Sequence, residues 1–252
     1  MRNSDSRQTR HGARLLPLVV VAMFAAWRLL PAAHAQAPDA LSPVAPLRHA
    51  PPGVDPALGV IPGHAIMVSI DDLPPHAKAD AMRDLRDNEH GYTVVSDAWI
   101  ADALKYEKAL LPPGDKAAVL GALRIDPART ALARMNFVGT IAEMKLDGRT
   151  VMARRVFKRA DGVVLFVSEW QFAEAGGAIV RIRELQNAKL GRHLARLMVE
   201  RAPGGARRTE LTWNDERTAF TVAVFDDVDS AQARAAGYDR SWLLQLAESF
   251  GT

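Results

Sequence analysis

The sequence predicts an α+β protein in which helices precede a six- to seven-stranded antiparallel meander sheet and a final helix packs on that sheet. From about residue 136, short runs of β-forming residues alternate with tight turns such as Asp147-Gly148 and Asp161-Gly162. Such short connections favour antiparallel pairing, because a parallel crossover needs roughly a dozen residues or more. Near the C-terminus, apolar residues at helical spacing predict a helix with one buried face.

Residues 1–35 have the pattern of a secretory signal peptide. Arginines precede an apolar run over residues 15–27, and Ala33-His34-Ala35 places small residues at the two positions that a signal peptidase reads. As a helix, this run would span about 20 Å, less than the ~30 Å hydrocarbon core of a membrane. We therefore expect cleavage after Ala35, no transmembrane anchor afterwards, and a periplasmic or secreted protein.

The next segment, residues 36–63, is rich in proline and alanine and predicts an extended linker. Residues 64–252 are expected to form a single α+β domain. The leader holds five arginines and one aspartate, so its removal changes the formal net charge from +3 to −1, which argues against nucleic-acid binding. The chain has no cysteine, which excludes disulfides, cysteine-ligated metals and a thiol nucleophile.

Several short elements are predicted before the sheet. They are a strand over 66–70, a helix over 75–89, a helix from the N-cap Ser96 with an apolar stripe reaching Leu111, a short helix over 117–123, and one opened by Asp126-Pro127.

The sheet strands and the closing helix follow in order. Strands are predicted over 136–146, 150–158, 163–172, 179–185, 193–201, 207–213 and 218–225. The closing helix begins at a cap, Asp239 or Ser241, and its apolar stripe consists of Trp242, Leu243, Leu246, Ala247 and Phe250. Several strands carry apolar residues on both faces, as in a sheet that is covered on both sides.

Charge is distributed unevenly along the mature chain. Residues 145–208 carry a net charge of +8, whereas residues 36–144 carry −4 and residues 209–252 carry −5. The basic strands are consistent with a solvated face whose long cationic side chains prevent edge-to-edge aggregation. They are also consistent with a docking surface for an acidic protein or an anionic envelope component, although charged runs more often form solvated faces.

Five residues are the candidates for that docking surface. They are Arg154, Arg155, Arg181, Arg183 and Trp213. Trp213 lies near a hairpin tip, where it would be either an exposed anchor or a core residue, since it shares a strand face with Leu211.

An acidic cluster after the first strand is the best candidate for metal chemistry. Asp71, Asp72, His76 and Asp80 could hold a hard cation and support a metal-dependent hydrolase. The alternative is a strand-to-helix turn in which an aspartate is the cap. No Gly-x-Ser-x-Gly elbow and no phosphate-binding loop occurs, so the sequence predicts neither catalytic residues nor a cofactor.

The C-terminal part resembles a known type of regulatory domain. Residues 209–213, 218–222 and 242–250 form a strand, turn, strand and helix cassette. This cassette resembles the end of extracytoplasmic domains attached to anti-sigma factors, and of sigma-factor regulators of the RseB/MucB kind and their lipoprotein-carrier-like relatives. The resemblance implies helices packed on a curved antiparallel sheet whose concave side holds lipid or protein ligands.

Three functions are therefore expected, from different classes. The leading one is a non-enzymatic periplasmic binding or regulatory protein that uses the basic sheet surface. The alternatives are the metal-dependent hydrolase and a carrier that encloses an acyl chain. The sequence leaves the oligomeric state open.

Overall fold

The computed structural model describes residues 61–111, 123–146 and 149–251. They form an α+β fold with a mostly antiparallel sheet and a C-terminal helix packed on it, which confirms the predicted class at this level. The predicted leader, most of the predicted linker, nearly all of the predicted helix over 117–123 and the Asp147-Gly148 turn lie outside the described residues.

The described strands and helices are the following. The strands are β1 (Ala65–Val68), β2 (Thr93–Val94), β3 (Asn136–Leu146), β4 (Arg149–Lys158), β5 (Val164–Trp170), β6 (Ile179–Ile182), β7 (Ala188–Leu190), β8 (His193–Arg201), β9 (Arg207–Asn214) and β10 (Ala219–Val224). The α-helices are α1 (Pro75–His90), α2 (Asp97–Ala103), α3 (Ala231–Ala235) and α4 (Arg240–Glu248), and short 3-10 turns include Glu107–Ala109, Pro127–Arg129 and Arg183–Leu185.

The strand order differs from a simple meander. Two antiparallel runs, β3-β4-β5 and β8-β9-β10, meet where β10 pairs with β5. Between these runs the chain leaves the main sheet, because β6 pairs in parallel with β1. The predicted uninterrupted meander of six or seven strands is therefore wrong: the main sheet of the described residues has eight strands, with β2 and β7 both pairing with β8. Turn residues in the sequence predict pairing between consecutive strands. The pairing of β5 with β10 joins strands that are far apart in the chain, so no local sequence pattern predicts it.

Capping residues determine where the longer helices begin and end. α1 begins with Pro75 at its first position and ends at His90, followed by the cap Gly91, whose φ of 90° is the left-handed conformation that favours glycine. α4 begins at the N-cap Asp239, whose carboxylate accepts a hydrogen bond from the Trp242 N–H at 3.1 Å. Of the two predicted caps for this helix, Asp239 is the correct one.

Two predicted helices are shorter than expected. The Ser96 side chain does cap α2, but that helix ends at Ala103 and is followed by the 3-10 turn Glu107–Ala109. Asp126-Pro127 likewise opens only a 3-10 turn. In both places an apolar or capping pattern marks the start of a helix, whereas the length depends on packing that the local sequence does not specify.

Both faces of the main sheet are covered. On one face, α4 packs against Leu211, Trp213 and Phe220 in the largest cluster of buried apolar residues described. The opposite face meets the layer built from β1, β6 and α1, and contacts such as Ile179 with Trp170 join this layer to the sheet. This arrangement confirms the expectation drawn from strands that are apolar on both faces.

Candidate functional site

Folding brings the acidic flanks of the chain onto the basic middle strands. The paired arginines lie on strands β4 to β8 or at their ends, and their acidic partners come from α1, β3 and the segment after β10. The pairs are Arg154–Glu143 at 2.6 Å, Arg159–Asp226 at 2.8 Å, Arg196–Asp84 at 2.8 Å and Arg201–Asp227 at 2.9 Å. Much of the positive charge in residues 145–208 is therefore neutralised within the chain.

Arg154 and Arg155 lie on opposite faces of the sheet and are both paired. The side chain of Arg154 is 30% exposed, pairs with Glu143 and lies 5.0 Å from the centre of the Phe166 ring. The side chain of Arg155 is 1% exposed and pairs with the equally buried Glu169. Successive side chains of a strand alternate between faces, so the structure corrects the assignment of Arg155 to a surface.

The buried pair of Arg155 and Glu169 holds a loop segment against the sheet. Glu169 accepts hydrogen bonds from the backbone N–H groups of Arg124 at 2.7 Å and Ile125 at 3.1 Å. Arg155 donates to the Ile125 carbonyl at 2.5 Å. Burial raises the pKa of Glu169, and the neighbouring Arg155 opposes that increase. The pair therefore stabilises the attachment of residues 124–125 to β4 and β5, and it presents no exposed group that could bind a ligand.

Trp213 is a core residue. It is 0% exposed, its ring stacks on Phe220 at 5.3 Å between centroids, and it also contacts Phe250 of the C-terminal segment. The structure therefore corrects its assignment as an exposed anchor. The face that Trp213 shares with Leu211 was the sequence signal for this outcome.

Arg181 of β6 differs from these arginines because its described hydrogen bonds go to neutral acceptors. Its Nη2 donates to the Thr212 carbonyl at 2.8 Å, and its Nε donates to Gln186 Oε1 at 3.2 Å. Within residues 61–111, 123–146 and 149–251, no carboxylate forms an ion pair with it. Burial and the nearby charge of Arg196 lower the pKa of Arg181 to about 10, so the guanidinium is still charged at neutral pH.

A small crevice lies between β6 and the outer part of the main sheet. It encloses about 50 Å³ and is lined by Arg181, Gln186, Arg196, Met198, Glu210 and Thr212, together with aliphatic residues of β6 and the following turn. Arg196 uses Nη2 to bind Asp84 of α1, while its Nε is buried with no hydrogen-bond partner in the described part of the chain. Glu210 is occupied by Arg208, which also binds Glu200.

Exposed cations continue from this crevice along the chain. Arg183 lies in the 3-10 turn after β6, and Lys189 and Arg192 follow on β7 and in its hairpin turn; all three are exposed. No ion pair joins any of them to a carboxylate within the parts of the chain that the structure describes. Glu184 is the acidic residue in this stretch, and it binds Ser69 Oγ at 2.7 Å and the Ile70 N–H at 3.0 Å instead. We call Arg181, Arg183, Lys189 and Arg192 the basic segment.

The acidic cluster after β1 serves as a cap and in local ion pairs. Asp72 Oδ2 accepts a hydrogen bond from the Ser69 N–H at 3.2 Å, completing a capping box. Asp71 pairs with Lys78 at 2.6 Å, and Asp80 pairs with Arg83. Among the described residues no group of three histidine, aspartate or glutamate side chains could hold a metal ion, so Asp71, Asp72, His76 and Asp80 do not converge. The strand-to-helix turn is the arrangement that the structure contains.

Comparison of the chain with protein-family models, with curated proteins and with solved structures finds no match. The resemblance of the C-terminal cassette to anti-sigma-associated and RseB/MucB-like domains therefore stays a prediction. Among the described helices, none is both long enough and apolar enough to span a membrane.

Proposed function

We propose that this chain is an exported, non-enzymatic binding or regulatory protein that contacts an acidic protein or an anionic envelope component through the basic segment. The observation that carries the proposal is the contrast among its cations. Arg154, Arg159, Arg196 and Arg201 are paired with acidic residues of the same chain. The basic segment has no such partner in the described residues and is free to attract an external anion.

The proposal modifies the surface that the sequence alone predicts. Of the four candidate arginines, Arg181 and Arg183 belong to the basic segment, whereas Arg154 is paired and Arg155 is buried. Lys189 and Arg192 extend the surface and were not predicted as site residues. The signal in the sequence that could have found them is the near-absence of acidic residues between 181 and 193, where Glu184 is the exception.

The other two expected functions have less support. A metal-dependent hydrolase needs convergent ligands, and those proposed for it are instead used in a cap and in ion pairs. The crevice at α1–β8 has a volume of about 150 Å³ and the crevice at β6–β9 about 50 Å³, each less than the ~300 Å³ at which typical ligand pockets begin. No observation on the described residues favours an acyl-chain carrier.

Export is the second part of the proposal and rests on the pattern of residues 1–35. An exported protein would meet acidic proteins and anionic lipid headgroups, which are the partner chemistry that the basic segment suits. The likeness of the C-terminal cassette to regulatory domains supports a role in holding a partner.

Charge reversal tests the proposed surface. The triple variant Arg183→Glu, Lys189→Glu and Arg192→Glu removes exposed cations only. Its matched control is Arg86→Glu, Arg134→Glu and Arg234→Glu, which reverses three exposed arginines elsewhere and changes the net charge equally. Binding is measured at low and high ionic strength to immobilised polyglutamate and to vesicles of phosphatidylglycerol, with phosphatidylcholine vesicles as the neutral reference.

We expect salt-sensitive binding of the unaltered protein to one of the two anionic probes, and loss of that binding in the triple variant. The matched control should retain most of it. Equal loss in both triple variants would show that net charge alone drives binding, and retention in both would remove the basic segment from the proposal. Selective binding to polyglutamate or to anionic vesicles identifies the class of partner.

A further inference from the structure

The crevice at Arg181 contains one charge for which the described residues supply no counter-ion. Arg196 is paired with Asp84, and Glu210 is paired with Arg208. Arg181 is held by two neutral acceptors, the Thr212 carbonyl and the Gln186 side chain. Burying a cation without a counter-ion costs free energy. The two hydrogen bonds hold the guanidinium of Arg181 in position.

From this geometry, and resting on the function proposed above, we infer that the crevice is a specific subsite for a single side-chain carboxylate of an acidic protein segment. Arg181 would donate from its remaining N–H groups to one carboxylate, and the side chain of Arg196, whose buried Nε has no hydrogen-bond partner among the described residues, lines the same crevice. A carboxylate bound by guanidinium donors forms charge-assisted hydrogen bonds, which are the stronger kind. The exposed Arg183, Lys189 and Arg192 would supply long-range attraction around this anchor.

Charge balance favours a carboxylate over a phosphate. One carboxylate carries one negative charge and neutralises Arg181. A phosphate dianion would bring a second negative charge into a crevice whose wall already contains Glu210. Such like charges repel most strongly where water is partly excluded. The crevice is also small, about 50 Å³, well below the ~300 Å³ at which typical ligand pockets begin, which suits a small terminal group.

The wall chemistry favours a carboxylate carried on a short aliphatic stem. Ile179, Ile182 and Leu185 contribute apolar surface to the crevice, next to the polar groups of Gln186 and Thr212. The methylene groups of a glutamate side chain could lie against this apolar surface while its carboxylate reaches Arg181. Long side chains commonly divide in this way between apolar and polar surroundings.

The test compares two arginines that lie two positions apart. Binding of a terminally blocked pentaglutamate peptide is measured by NMR on protein with 15N-labelled arginine, by following the Nε–H signals of the arginine side chains. Arg181→Gln removes the proposed anchor, and Arg183→Gln is the matched control with the same change in charge. Arg181→Lys keeps the charge but loses the planar fork. A pentaglutamine peptide and inorganic phosphate are the two reference ligands.

We expect Arg181→Gln to weaken pentaglutamate binding by about tenfold or more, because a charge-assisted hydrogen bond is lost. Arg183→Gln should weaken it by less than about threefold, since an exposed ion pair contributes little. Arg181→Lys should weaken pentaglutamate binding by an amount between these two. If circular dichroism shows that Arg181→Gln does not fold, the comparison of Arg181→Lys with Arg183→Gln tests the subsite instead.

Three outcomes would overturn the inference. If Arg181→Gln and Arg183→Gln weaken pentaglutamate binding equally, the peptide binds a diffuse basic surface. That result would contradict the carboxylate subsite but not the proposed function. Tighter binding of phosphate than of pentaglutamate at the Arg181 signal would contradict the charge-balance argument. Absence of pentaglutamate binding to the unaltered protein at low ionic strength would remove the subsite, and the charge-reversal experiment would then judge the proposed function by itself.

Discussion

The buried ion pair of Arg155 and Glu169 allows a quantitative test of what holds the loop segment at residues 123–125 against the sheet. In the variant Arg155→Met, Glu169 keeps its two backbone N–H donors but loses its counter-ion. The Ile125 carbonyl also loses a donor. Removing one partner of a buried pair costs about 3–5 kcal/mol, because the remaining charge is left uncompensated.

The double variant Arg155→Met/Glu169→Gln removes that charge. Glutamine keeps an oxygen that can accept from the N–H groups of Arg124 and Ile125. We therefore expect the double variant to be about 1–3 kcal/mol more stable than Arg155→Met alone, the usual cost of an unsatisfied buried polar group. The double variant should also lose less unfolding free energy than the sum of the losses in Arg155→Met and Glu169→Gln, as expected for residues in direct contact.

Urea-induced unfolding, followed by tryptophan fluorescence and circular dichroism, gives the free energy of unfolding for each variant. The matched control is Arg149→Met on the same strand, whose side chain is 69% exposed and lies 4.0 Å from Glu174. This control should cost less than about 1 kcal/mol. If Arg155→Met costs no more than Arg149→Met, or if the effects at Arg155 and Glu169 are additive, the pair does not stabilise the fold in the way described.

Three further predictions concern acid stability, the core and the leader. The hydrogen bond from Arg159 lowers the pKa of Asp161 below its ordinary value of 3.8, so this carboxylate stabilises the fold above that pH and loses its effect as the pH falls through the folded-state value. Asp161→Asn should therefore lessen the drop in melting temperature between about pH 5 and pH 2. Leu246→Ala, on the buried face of α4, should lower the free energy of unfolding by about 2–5 kcal/mol. N-terminal sequencing of protein recovered from the periplasm of a bacterial host should begin at Gln36.

Each of these has a control and a contrary outcome. For acid stability, the control is Glu216→Gln, which changes an exposed carboxylate for which no hydrogen bond or ion pair is described. If this variant lessens the acid-induced drop in melting temperature as much as Asp161→Asn does, the explanation based on Asp161 is wrong. For the core, the control is Leu194→Ala, because Leu194 is exposed. This variant should hardly change the free energy of unfolding, and a loss as large as that of Leu246→Ala would contradict the packing argument. For export, full-length protein that stays in the cytoplasm would show that residues 1–35 are not a leader.

The local sequence predicts most of the elements near the C-terminus. Turn residues predict the hairpins of β4-β5, β8-β9 and β9-β10, and all three pair antiparallel as expected. The Asp239 cap and the apolar stripe predict α4. These features depend on residues within a few positions of one another, so the pattern that encodes them is visible in the sequence.

The length of α2, the place of β6 and the neighbour of β10 could not be predicted in this way. β6 has the apolar composition of a sheet strand, yet it pairs with β1, which lies more than a hundred residues earlier in the chain. Such pairings depend on which surfaces meet during folding, and a short strand carries no information on its partner.

The sequence by itself determined the amount of charge, its segregation into a basic middle and acidic flanks, and the segments that form strands and helices. Only the tertiary structure decided which charges remain available. Asp84 lies 112 residues from Arg196 and neutralises it, whereas Arg181, on β6 in the same crevice, has only neutral acceptors among the described residues. The physical reason is that ion pairs form between groups that are close in space, and chain folding sets that distance independently of separation along the sequence.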